Sequence, residues 1–292
     1  MRLGGFYQAE TIDQLEPLCE KLDRYGLSAI GAPYGLAGMT DDQCAAFGQK
    51  ASDLGLVIGE VGMWDNLMTD DQALQDQRIA SVRTLLKKAE IMECGCVVTL
   101  AGSKDPDDGA ITPHPYMYSE AGKQEFKELV LRILDGLDLH HTKYVIEPWH
   151  HSFFYQPQDI KDCIDRVDHP KFGLHLDQMN MVSQAMYYRT TELINSTFDL
   201  LADKVASVHL KDIRCDSSHM FLRYDEVMIG DGVMDYDTFV TRLAQLPPHT
   251  PCFCEHLCEE HEYATNFQRL LAIAQENNVS FLPRQPESSR PT

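Results

Sequence analysis

Four ionisable side chains close four consecutive apolar runs in the second half of the chain. Tyr-Val-Ile ends in Glu147, Gly-Leu-His-Leu in Asp177, Ala-Ser-Val in His209, and Cys-Phe-Cys in Glu255. One acid in such a place is commonly a helix N-cap or a solvated loop residue. Four ionisable ends in succession are a pattern that apolar runs rarely produce. Two glutamates, one aspartate and one imidazole make a hard, oxygen-rich donor set. It suits Mn²⁺, Mg²⁺ or Co²⁺ better than a thiolate-rich zinc site would. One divalent ion held in this way keeps positions open for two substrate oxygens. Chelating a hydroxyketone polarises its carbonyl and stabilises the enediolate formed when the neighbouring C–H loses its proton. A base must then lie within hydrogen-bond reach of that carbon.

Bringing four run ends together requires elements that run in parallel. Short apolar runs at 3–7, 27–32, 55–61, 94–100, 144–147, 172–177, 205–209 and 252–255 read as strands. Between them, helical spacing or start signals mark helices over 11–25, from Thr40, from Thr69, and over 119–139, 158–167, 190–202, 236–246 and 260–277. The tetrad Thr-Asp-Asp-Gln occurs at Thr40 and again at Thr69 and reads both times as a capping box. Eight strand-then-helix units without a composition break predict a single-domain (β/α)8 barrel over 1–283 with a flexible tail over 284–292. An open doubly wound sheet would carry a glycine-rich phosphate fingerprint in its first turn, and residues 3–10 hold only Gly4 and Gly5. Reactive groups of such a barrel sit at the C-terminal ends of its strands. Alternation puts Phe253 on the face of Glu255 and turns Cys254 toward the helices. It puts His175 inside with Asp177, as a histidine held by hydrogen bonds or supporting the ligands.

Composition narrows the partners. The 292 residues contain 25 Lys and Arg against 45 Asp and Glu, a net charge of −20, with 43% hydrophobic residues. The apolar fraction is that of a globular protein. The charge argues against nucleic acid and anionic membrane, so the expected partner is a small molecule. No apolar run approaches the roughly 18 residues of a spanning helix, and the N-terminus reads as no signal peptide. Nine cysteines, an odd number without a CxxC pair, read as reduced thiols, and the expected location is cytoplasmic. Cys252, Cys254 and Cys258 lack a second cysteine–histidine pair at finger spacing.

The order Glu147, Asp177, His209, Glu255, with "HLKD" at 209–212 and "GDGVMDYDTF" at 230–239, resembles the xylose-isomerase-like barrel superfamily of sugar (phosphate) isomerases and epimerases over about residues 1–283. The resemblance implies that these four residues bind one divalent metal, with Mn²⁺ expected first. It also implies that Glu147 and Glu255 double as acid and base on opposite faces of a ketose, kept ionised by the metal. The chain departs from the ketose 3-epimerases at three positions. Asn180 stands where they carry a histidine, Cys215 (beside Arg214) where they carry an arginine, and Phe153 where a glutamate is frequent. It has instead Trp149-His150-His151 directly after Pro148, where His150, and less readily His151, could act as a neutral base near pH 7 or simply face water. The expected activity is a metal-dependent sugar isomerase or epimerase. The rival is a lyase that expels the β-substituent of a 3-keto-glycoside, C-glycosides included, as some relatives do with a small partner subunit. A homo-oligomer is the other assembly expected. Supporting candidates are Trp149, Trp64 and Tyr7, for stacking on a sugar or for plain packing. Glu60 and His114 are candidates for hydroxyls, and Arg214 for substrate. Lys211 could meet a carboxylate or phosphate, or pair with Asp212.

Overall fold

The computed structural model describes residues 1–286 except Phe6 and Leu222. Its elements run β1 (Arg2–Gly4), α1 (Leu15–Arg24), β2 (Ala29–Ile30), α2 (Asp41–Asp53), β3 (Val57–Ile58), β4 (Glu60–Gly62), α3 (Gln72–Met92), β5 (Cys96–Leu100), α4 (Glu120–Leu134), β6 (Lys143–Glu147), α5 (Pro157–Val167), β7 (Phe172–Asp177), α6 (Thr190–Leu201), β8 (Val205–Leu210), β9 (Asp212–Cys215), β10 (Tyr224–Val227), α7 (Tyr236–Leu243), β11 (Pro251–Cys254) and α8 (Glu260–Glu276). Nine strands pair in parallel in the order β3-β2-β1-β11-β8-β7-β6-β5-β4. The two edge strands are one stretch of chain broken at Gly59. Gly59 donates its N–H to Ile30 at 2.9 Å and accepts from Cys96 N–H at 3.1 Å, so this residue closes the ring. The result is the expected (β/α)8 barrel.

Gly59 is a glycine because of what lies inside. A Cβ there would come within 2.6 Å of the Phe253 ring, and one on Gly4 within 2.5 Å. Two missing side chains thus make room for one aromatic ring under the mouth. Deeper inside, Cys96, Val98 and Val145 form a small apolar cluster. The large core lies between barrel and helices, where buried positions repeat at helical spacing, as in Ile160, Cys163, Ile164 and Val167 of α5. Filling one such site with a Leu, Ile or Phe is worth roughly 2–3 kcal/mol.

Local expectations differ from the structure in four places. The tetrad at Thr40 is a capping box, with Gln43 N–H donating to Thr40 Oγ1. At Thr69 the helix starts two residues later, capped by Asp71, and Thr69 Oγ1 accepts from the Asp71 N–H. α4 stops at Leu134 rather than 139, where Asp135 leaves helical geometry and Gly136 adopts φ +65°. The connection after the seventh barrel strand carries an antiparallel β9–β10 hairpin, absent from the sequence reading. Arg284, assigned to the tail, is anchored: its guanidinium grips both Asp23 carboxylate oxygens (3.0 and 2.6 Å) and the Leu54 carbonyl (2.8 Å). The remainder of the expected tail, 287–292, lies outside the described residues.

Candidate metal centre

Parallel register aligns the strand ends: Asp177 lies beside His209, and His209 beside Phe253. With Glu147 closing β6 and Glu255 following β11, four buried side chains meet. Glu147, Asp177, His209 and Glu255 each present a ligand atom, all within 4.8 Å of one another.

Each donor is aimed by a second contact. Asp177 Oδ1 accepts the N–H groups of Met179 and Asn180 at 3.1 and 3.2 Å, which leaves Oδ2 for the centre. Glu147 Oε1 accepts from Asn180 Nδ2 at 2.9 Å. His209 Nε2 lies 2.8 Å from Glu60 Oε1, which turns Nδ1 inward to face Glu255 Oε1 (2.7 Å), Glu147 Oε1 (3.8 Å) and Asp177 Oδ2 (3.9 Å). A carboxylate on the outer imidazole nitrogen fixes ring and tautomer, as is usual behind a metal-binding histidine. Behind it, buried His175 places Nδ1 2.5 Å from Ser207 Oγ and 3.3 Å from Glu60 Oε2, and its ring meets His209 edge-on at 4.0 Å. His175 is thus the interior histidine that alternation predicts.

The inward atoms crowd together as ion pairs rather than as aligned hydrogen bonds. His209 Nδ1, Asp177 Oδ2, Glu255 Oε1 and Lys211 Nζ are all buried, and none is in hydrogen-bond geometry. Yet Lys211 Nζ lies 2.5 Å from both Asp177 Oδ2 and Glu255 Oε1. Atoms that converge without hydrogen bonding share a centre, and three carboxylates with an imidazole around it fit a hard divalent cation. Lys211 therefore belongs to the cluster. Asp212 does not pair with it: its carboxylate accepts the N–H groups of Ile213, Gly230, Gly232 and Met234 at 2.8–3.1 Å. That ties "HLKD" to the "GDGVMDYDTF" loop.

The charges separate. Burial pushes Glu147 up to about 7, reinforced by Asp177. Burial also opposes ionisation of Glu255, yet His209 and Lys211 hold it well below the usual carboxylate range. His209 loses solvation but is held well above its ordinary value by Glu255 and Glu60. His175, desolvated and beside His209, falls to about 4 and is neutral at pH 7. Among the side chains alone, then, the two glutamates are not equally ionised, unlike the pair expected beside a metal.

Above the cluster opens a cavity of about 610 Å³, within the range of small-molecule sites. Glu60, Glu147, His209 and Glu255 line it, and so do Trp64 and Trp149. Other candidates lie outside the lining. His150 is exposed, with Nδ1 3.4 Å from the Asn180 carbonyl. His114 caps a short turn by accepting the Tyr116 N–H. Arg214 is exposed on β9 opposite Asp225. Tyr7 packs on Tyr263 and Phe267 under Lys21. The nine cysteines are free, and among the described residues no metal-capable group includes one. The sequence reading missed His256. It lines the cavity in a left-handed backbone (φ +58°), with Nδ1 3.0 Å from Glu226 Oε2 and Nε2 3.4 Å from Glu255 Oε2. Its position next to Glu255 was its only signal.

The sequence matches the family described as xylose isomerase-like TIM barrel over residues 11–281, and the chain belongs to that family. No curated protein matches it by sequence. Solved structures of the same fold include a xylose isomerase-like TIM barrel protein from Mycobacterium smegmatis in complex with magnesium (17% identity, 91% of this chain and 90% of that chain, TM-score 0.63). They also include a D-psicose 3-epimerase with D-tagatose from Clostridium cellulolyticum H10 (13%, 96% and 100%, 0.65) and a 3-keto-D-glucoside 4-epimerase from E. coli (14%, 94% and 99%, 0.64). At these identities the likeness establishes the fold. Among the described residues no helix is long and apolar enough to cross a membrane.

Proposed function

We propose that the protein is a divalent-metal-dependent sugar isomerase or epimerase that moves a proton next to a carbonyl. The convergence of buried His209 Nδ1, Asp177 Oδ2 and Glu255 Oε1, none of them in hydrogen-bond geometry, beneath a cavity carries this reading. Glu147, Asp177, His209 and Glu255 would hold the ion, with Mn²⁺ proposed first. When bound, it supplies charge stabilisation for the oxygen of the substrate carbonyl. Glu255 accepts the proton of the adjacent carbon, and Glu147 returns one. Glu60 orients His209, and Lys211 offsets part of the negative charge. With a net charge of −20 the substrate is a small molecule rather than nucleic acid.

A second reading has specific support. At three positions this chain departs from the residues that the ketose 3-epimerases carry. Phe153 is buried edge-on against Phe126 at 5.5 Å, Asn180 is engaged with Glu147, and Cys215 is half-buried beside the exposed Arg214 on the hairpin. The same acid–base pair would serve a lyase acting on 3-keto-glycosides. Glu255 takes the proton beside the carbonyl, the bond to the β-substituent breaks, and the departing group takes its proton from Glu147.

Metal analysis of the purified protein, followed by incubation in D₂O with ketoses and 3-keto-glycosides, tests both readings. One ion per chain, lost in Asp177→Asn, and deuterium incorporated next to the carbonyl are the expected results. Release of an aglycone selects the lyase. Full turnover after chelation would overturn the metal-dependent reading.

A further inference from the structure

The cavity has two unlike ends. Its floor is ionic, formed by Glu60, Glu147, His209 and Glu255, whereas its wall toward the mouth includes Tyr34, Trp64, Leu100, Ile111 and Trp149. A free hexose presents hydroxyls in every direction, and this wall offers few groups to receive them. Buried hydroxyls without partners would be a penalty to binding.

The wall is also unusually open. Tyr34 is 77% exposed, Trp64 49% and Ile111 43%, although all three line the same cavity. Among the described residues Leu131 is the one exposed large hydrophobic within an outer α-helix, and only marginally so; the rest sit in connections, and three of them line this cavity. Exposed apolar surface gathered at a cavity mouth marks a binding surface. Trp64 is seated closely: a Cβ on Gly62 would come within 2.4 Å of its ring, so this glycine lets the indole lie against the strand. A well-seated, half-exposed indole provides a surface on which a flat group can stack.

We propose that Tyr34, Trp64 and Ile111 form a subsite for an aryl group carried by the substrate. The compound is then amphipathic, a sugar end over the metal-ligand cluster and an aromatic substituent at the mouth. This rests on the sugar reading of the cluster and narrows the substrate to an aryl glycoside whose sugar ring carries the ketone, for which the plain glycosides are non-reacting analogues.

The test compares phenyl β-D-glucoside with methyl β-D-glucoside by calorimetry on manganese-loaded protein, with metal content and deuterium exchange on ketoses measured separately. The expected result is phenyl binding about tenfold tighter than methyl. Trp64→Ala should bring that ratio close to one while still binding one manganese, and Trp64→Phe should keep most of it. Equal binding of the two glycosides, no binding of either, or a preference that survives both Trp64→Ala and Tyr34→Ala overturns the subsite. Aryl preference without metal binding or exchange would support the subsite while overturning the proposed chemistry of the floor.

Discussion

Strands β6, β7, β8 and β11 deliver Glu147, Asp177, His209 and Glu255 to one point, whereas β1, β2, β4 and β5 end in Gly4, Ile30, Gly62 and Leu100. The second half of the barrel carries charge and the first half carries shape. The glycines of the first half leave space for Phe253 and Trp64, and its loops supply Tyr34 and Ile111. Glu60 breaks the division. It begins β4 in the first half, yet it grips His209 of the second. An ionic floor assembled from one half and an apolar wall supplied largely by the other lets substrate shape vary without disturbing the four convergent side chains.

The sharpest way to break this contrast is Glu255→Gln, which should lower kcat by about a thousandfold if the second half performs the proton transfer. A drop of less than tenfold, read by deuterium exchange, would move the base elsewhere. Next in size is a pH effect. In metal-stripped protein Glu147 binds a proton more tightly when folded than when unfolded. It therefore stabilises the fold below about pH 4.5, and that contribution, on the order of 3 kcal/mol, is lost as pH rises through about 7. Urea unfolding at pH 5 and pH 8 should show a smaller loss in Glu147→Gln than in wild type, and equal losses would contradict the raised carboxyl. Glu60→Gln probes the contact of Glu60 with His209 across the two halves. It should weaken manganese binding by about 10- to 100-fold with the melting temperature little changed. Unaltered affinity would return Glu60 to the role of a mere wall residue. The smallest effect belongs to the first half. Trp64→Ala should leave the manganese dissociation constant within about twofold, since Trp64 is half-exposed and lies outside the convergent group, and a larger change would show that wall and floor are coupled.

The convergence of the four side chains was legible because strand alternation has a period of two and each of them ends an apolar run. The same rule placed His175 inside and set Phe253 on the face of Glu255. Local start signals were less secure. Thr-Asp-Asp-Gln is one tetrad, but packing let Thr40 cap one helix and handed the other to Asp71. The β9–β10 hairpin was hidden because the pattern of residues 212–227 is neither cleanly alternating nor helical. Lys211 was assigned to the inner face, but its two carboxylate partners come from β7 and from the end of β11.

The sequence by itself determined the barrel, the acidic surface and the identity of the four convergent side chains, because these follow from periodicity and composition that local chain geometry enforces. Only the tertiary structure decided that Glu60 turns His209 Nδ1 inward, that Lys211 bridges Asp177 and Glu255, and that the mouth is lined with Tyr34, Trp64 and Ile111. Each depends on chain segments far apart in sequence, and their approach is fixed by barrel closure and register rather than by any local preference.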